Sequence, residues 1–280
     1  MAAAAEPAAF PATGPTEQII QRVCTVMRTI TTAVGGFVTA VLLATAAGCG
    51  ADAASPAQLD PTAAARQRVI DTANVDCLDD PGPLVAITDA EQDMTAAIQV
   101  GTGDTGVVLL HQLDGTACQW YPFALILAQH GYRALAPDIT SRDAVEVAQA
   151  GIAHLRKEGA KRVFVIGASR GGTIALAAAA ATTPPVDGVI ALSAPTVYDA
   201  DALTAVKKLD VPTILVAGDL DGTFADHARE LYGLSVAKHK KLIISSSMSH
   251  GVTLVSGRVE DTMMAFLTDP AATADAPDPA

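Results

Sequence analysis

The sequence predicts an α/β fold, a mostly parallel eight-stranded sheet with helices on both faces. Three observations point there. Between Leu84 and Leu267, apolar runs of five to seven residues alternate with longer amphipathic or Ala-rich segments, the rhythm of strands joined by crossover helices. Composition supplies the core: of 280 residues, 50% are hydrophobic and 17% charged, which excludes a disordered chain. The 30 acidic and 18 basic side chains leave a net charge of −12, which argues against a nucleic-acid partner, since phosphates must be met by a basic face. Four cysteines, at 24, 49, 77 and 118, form no CxxC pair, so neither a zinc site nor another metal or cofactor is expected. Oligomeric state leaves no mark on the sequence.

In order, the strand candidates are 84–88, 94–100, 106–110, 132–136, 162–166, 188–193, 213–217 and 241–245. The first two are separated by Asp89-Ala90-Glu91-Gln92-Asp93, too short for a crossover, so they form an antiparallel hairpin. Gly101, Gly103 and Gly106 then spell G-x-G-x-x-G. A dinucleotide site would need a helix to begin there, whereas Val107-Val108-Leu109-Leu110 is a strand, so the glycines make a turn. Helix candidates fall at 120–130, 143–158, 171–182, 201–209, 224–232 and 252–267. In the second, Val145, Ala148, Ile152 and Leu155 recur on one face of a 3.6-residue period, which should pack on the sheet.

The chain divides into four parts. Residues 1–48 are expected to be an export segment: 29–48 carry no charge, follow Arg28, and lead through Thr45-Ala46-Ala47-Gly48 to Cys49. From Met27 onward the basic start, apolar middle and small-residue end already make a complete signal, which places the true start near Met27. The closing residues resemble the lipobox of bacterial lipoprotein signal peptides, with Ala46 where that family favours leucine. That resemblance implies cleavage before Cys49 and lipidation of its thiol. The protein would then be held by a lipid anchor on the extracytoplasmic face of the cell membrane, or be secreted; an uncleaved membrane helix is the alternative. Residues 49–75 are expected to be a flexible tether, 76–268 the folded domain, and 269–280 a flexible tail.

Within the domain, the strand ending at Ile166 runs into Gly167-Ala168-Ser169-Arg170-Gly171 and then into an Ala-rich helix. This is G-x-S-x-G in the strand-to-helix context of a nucleophile elbow. The sharp turn crowds the positions two before and two after the serine, so both are glycine, and the hydroxyl is left projecting above the sheet. A nucleophilic serine needs a base, and His250 follows the last strand on a loop. The base needs a carboxylate, and Asp219 and Asp221 follow the strand before that, which keeps the order serine, acid, histidine.

With these residues in place, 84–267 resembles a serine-dependent α/β-hydrolase of the compact dienelactone-hydrolase-like group, with Ser169 where those enzymes carry cysteine. The resemblance implies that Asp221, three after Gly218, is the acid, with Asp219 the main rival and Asp199 and Asp201 minor ones. It also implies an oxyanion hole formed by Arg170, Leu113 and Gln112, with the N–H groups of Arg170 and Leu113 pointing into the site, on a loop where Gln112 replaces the family's glycine and His111 braces. Nothing between Ser193 and Thr213 is long enough for a large lid. The expected substrate is a small ester, cleaved through an acyl-Ser169; a thioesterase, amidase or peptidase on the same scaffold, or a non-catalytic surface binding protein, remain alternatives. Cys77 and Cys118 are an even pair in an exported protein and read as a disulfide, with two free thiols as the alternative.

Overall fold

The computed structural model describes residues 61–140 and 143–276, so the export segment 1–48 and Cys49 lie outside the described residues. All eight expected strands are present: β1 Leu84–Thr88, β2 Met94–Val100, β3 Thr105–Leu110, β4 Arg133–Pro137, β5 Arg162–Ala168, β6 Gly188–Leu192, β7 Thr213–Gly218 and β8 Lys240–Ser245. They form one sheet in the order β1-β2-β4-β3-β5-β6-β7-β8. β2 runs antiparallel to both β1 and β4, and every pairing from β4 to β8 is parallel. The long helices are α1 Pro61–Asp71, α2 Tyr121–Gln129, α3 Ala144–Lys157, α4 Arg170–Ala181, α6 Phe224–Leu234 and α7 Gly257–Thr268, with α5 Ala202–Val206 and α8 Pro270–Asp275 short. Among the described residues no helix is long and apolar enough to cross a membrane.

The strands are continuously apolar because both faces are covered. Alternate residues serve opposite layers: Val108, Leu110, Val163 and Val165 pack with α3, α4 and α5, whereas Val107, Leu109, Phe164 and Ile166 pack with α2 and α7. In α3 the expected stripe is present, with Ala148, Ile152 and Leu155 buried and Val145 half-buried.

The glycine turn before β3 has a steric origin. A Cβ on Gly103 would lie 1.7 Å from the Gly131 carbonyl oxygen, and one on Gly101, where φ is +79°, would lie 2.1 Å from that of Tyr132. These residues bring two backbones together and open no helix.

The structure corrects both ends of the domain. Part of the expected tether is the helix α1, and Ile70, Ala73, Val75 and Leu78 pack against the core beneath it. Part of the expected tail is α8, whose Ala274 is buried and whose N-cap Asp269 accepts the Ala272 N–H at 3.1 Å. The last long helix is also shorter than the expected 252–267. Gly251–Leu254 is a separate 3-10 turn, extended Ser256 follows, and Gly257 at φ +50° turns the chain into α7.

Cys77 and Cys118 form a disulfide that ties the segment after α1 to the loop after β3. Closing a loop of 41 residues restricts the unfolded chain enough to contribute about 4 kcal/mol. The paired substitution Cys77→Ala/Cys118→Ala is expected to lower unfolding free energy by about 2–4 kcal/mol in urea titrations. An unchanged midpoint would mean that the bridge contributes no stability.

Candidate active site

Registers bring the strand ends level: Leu110 lies beside Gly167, Ala168 beside Leu192, and Gly218 beside Ser245. After β3 the chain turns to α2 on one face, and after β5 to α4 on the other. Such a switch point leaves a crevice at the carboxyl ends of the strands.

Ser169 occupies the turn between β5 and α4, with φ 51° and ψ −120°. A non-glycine residue rarely adopts positive φ, at a cost of order 1–3 kcal/mol. It is held there because its N–H donates to Leu192 O at 2.7 Å and its carbonyl accepts Gly172 N–H at 2.8 Å. The crowding expected at the flanking glycines is present. A Cβ on Gly167 would lie 2.0 Å from Gly171 O, and one on Gly171 2.2 Å from Leu110 O. Gly171→Ala therefore has to move backbone on two elements and is expected to destabilise the fold by about 3 kcal/mol, read as a lower urea midpoint. A midpoint equal to wild type would show that the turn has room.

His250 follows β8, just before the 3-10 turn. Its N–H donates to Thr253 Oγ1 at 3.0 Å, and the Thr253 hydroxyl donates back to the His250 carbonyl at 2.9 Å, which fixes the backbone. The imidazole Nδ1 lies 2.8 Å and 3.0 Å from the two carboxylate oxygens of Asp221, on the loop after β7. The Asp221 side chain is only 10% exposed and that of His250 31%, so the pair has a buried end and an open end. The Phe224 ring packs on the imidazole with centroids 4.4 Å apart.

The rival acids are occupied elsewhere. Asp219 accepts the Ser247 N–H at 2.9 Å, Asp199 pairs with Arg170 Nε at 2.6 Å, and Asp201 caps α5 through Thr204 N at 2.9 Å.

No protein-family model matches the chain, and no curated protein does. Solved structures do. An esterase from Pyrococcus furiosus superposes with a TM-score of 0.56 at 18% identity, covering 67% of this chain and 90% of that one. Dienelactone hydrolase from Anabaena variabilis gives 0.53 at 18%, covering 66% and 94%. The esterase domain of a Rhodothermus marinus protein gives 0.53 at 17%, covering 68% and 97%. This chain has the α/β-hydrolase fold.

In this α/β-hydrolase fold the loop after β3 lies against both the elbow at Gly171 and the segment that follows His250. His111 is buried and braces it: the Ile139 N–H donates to Nε2 at 2.9 Å, which leaves Nδ1–H to donate to the Gln112 carbonyl at 2.7 Å. Gln112 departs from the expected oxyanion role. Its N–H is taken by Gln119 Oε1 at 3.0 Å, so it is not an oxyanion donor. Its own side-chain oxygen instead accepts the Val252 N–H at 2.7 Å, joining this loop to the one carrying His250. The Leu113 N–H is bonded to no described residue, and Arg170 opens α4. The Arg170 side chain is buried and also donates to the Ile139 carbonyl, tying the elbow to the loop after β4.

Trp120 is wholly buried core and Tyr121 packs beside it. Phe224 reaches His250, and Tyr198 is exposed after β6. The remaining histidines are engaged elsewhere: His154 with Gln99, His130 with the end of α2, His239 with Asp275 and His227 against Phe224. Asp89, Glu91 and Glu146 cluster at the β1–β2 turn, four strands from β5, where chiefly the Glu91 charge raises the Glu146 carboxyl above its ordinary range.

Proposed function

We propose that the protein is a serine hydrolase that cleaves carboxylic esters through Ser169, His250 and Asp221. The observation that carries this is the hydrogen-bonded His250–Asp221 pair, on the loops after β8 and β7, in the same sheet-edge crevice as the strained elbow that presents Ser169. Asp221 accepts from Nδ1–H, which leaves Nε2 without a proton as general base. His250 takes the Ser169 proton as the hydroxyl attacks the ester carbonyl, and the Arg170 and Leu113 N–H groups meet the oxyanion. The imidazolium then protonates the leaving alkoxide, and the same base later activates water to release the acid.

An apolar acyl group suits the rim. Among the described residues, five of the eight exposed large hydrophobic ones, Leu113, Val197, Tyr198, Leu220 and Met248, stand on loops at the carboxyl ends of β3, β6, β7 and β8. Among the described residues, the β6–β7 connection carries one helix, the five-residue α5, and no large insertion. The purified protein should react with a fluorophosphonate probe at Ser169 and hydrolyse p-nitrophenyl esters faster than the matching anilides and thioesters. No probe reaction and no turnover on any of the three would sink the reading.

The proposal extends to location: an export signal and a lipid on Cys49 would hold the domain at the outer face of the membrane. Mass spectrometry of the mature N-terminus should find a lipidated Cys49. An intact Met1 or Met27 would contradict it.

A further inference from the structure

Ser193 directly follows β6, is wholly buried, and adopts φ 47°. Its hydroxyl has two partners from different loops. The Gly251 N–H donates to Oγ at 3.0 Å, and Oγ lies 2.8 Å from Asp221 Oδ2. The direction of both bonds is fixed by chemistry. An amide N–H only donates, so it occupies a lone pair of the serine oxygen, and the serine proton is left for the carboxylate. The oxygen that receives it is also the one 2.8 Å from His250 Nδ1.

We propose that Ser193 is a positioning residue for the hydrolase reading above: its one hydroxyl locks the acid loop and the base loop into a single unit. The next residue after His250 is Gly251, at φ +56°, so the N–H that Ser193 receives belongs to the backbone that aims the imidazole. On the other side, two donors on Oδ2 stabilise the charged carboxylate and stop it rotating about its side-chain bond. Loss of the hydroxyl leaves a buried N–H without an acceptor and a buried carboxylate with one donor fewer. The imidazole and its acid are then free to drift apart while the binding surface is untouched.

This predicts an effect on turnover rather than on binding. Ser193→Ala is expected to lower kcat on p-nitrophenyl butyrate about tenfold to a hundredfold, with KM within about twofold of wild type. Ser193→Cys, which keeps a weak donor, should recover part of the loss. In an Asp221→Asn background the same Ser193→Ala change should cost less than about threefold, because what it positions is already lost; fluorophosphonate labelling rates give this comparison where turnover is slow. Circular dichroism confirms folding, and if the alanine variant does not fold, Ser193→Gly removes the hydroxyl with a residue suited to φ 47°. An unchanged kcat, or an equal loss in both backgrounds, overturns the proposal. Wild-type activity in Ser169→Ala would instead overturn the hydrolase reading beneath it.

Discussion

Replacing Ser169 by alanine is expected to lower kcat/KM on p-nitrophenyl esters by about four to six orders of magnitude, and His250→Ala by a comparable factor. In the proposed mechanism Ser169 supplies the bond made to the acyl carbon, and His250 is the base that takes its proton. Either loss therefore leaves just the oxyanion donors and binding, worth about 10³–10⁴ over water. The two residues act as a unit, so the double variant should be no slower than the worse single one within about threefold. The substitutions are small sterically. Alanine keeps the Cβ that Ser169 already accommodates at φ 51°, and the His250 side chain is 31% exposed, so both variants should unfold near the wild-type midpoint. Initial rates and fluorophosphonate labelling on the same preparations check this. A Ser169→Ala protein retaining more than about 1% of the rate would show that another group does the chemistry.

The parts of this molecule that were legible in its sequence are those where sterics or burial leave a local trace. A strand covered on both faces must be apolar at consecutive positions, so Arg162–Ala168 and Thr213–Gly218 announce themselves, and the short link before Met94 dictates a hairpin. The elbow is legible for the same reason: carbonyl oxygens within about 2 Å of a Cβ at Gly167 and Gly171 permit no other residue. What escaped are single polar contacts across long separations. Val252 meets Gln112 across 140 residues and Gly251 meets Ser193 across 58, and neither Gln112 nor Ser193 has a neighbour in sequence that reveals its partner. Gln112 looked like a flaw in an oxyanion loop and is instead the bond between that loop and the one carrying His250. The terminal helices escaped for a different reason. Their Ala- and Pro-rich composition suggests loose chain, yet a few apolar residues such as Ile70 and Ala274 are enough to dock them on an existing sheet. The Asp269-Pro270 pair did carry an N-cap and first-turn signature that composition obscured.

The choice between the two aspartates after β7 yields the other large effect. Asp221→Asn is expected to lower kcat about 10⁴-fold, because an asparagine amide can donate to Nδ1, move the imidazole proton to Nε2 and so remove the base that the proposed mechanism uses. Asp219→Asn should stay within about threefold of wild type, since its oxygen accepts the Ser247 N–H, a role an asparagine carbonyl performs almost as well. The two residues differ in what the fold does with charge. Asp221 is nearly buried and receives donors from His250 and Ser193, so in the proposed mechanism its negative charge is concentrated on the imidazolium that would form during acyl transfer. Asp219 only holds together the loops after β7 and β8, a task that needs a hydrogen-bond acceptor and not an anion. Steady-state kinetics of the two variants, with urea titrations to confirm equal stability, separate these roles. A larger loss in Asp219→Asn than in Asp221→Asn would reverse the assignment, and it would also remove the partner through which Ser193 acts.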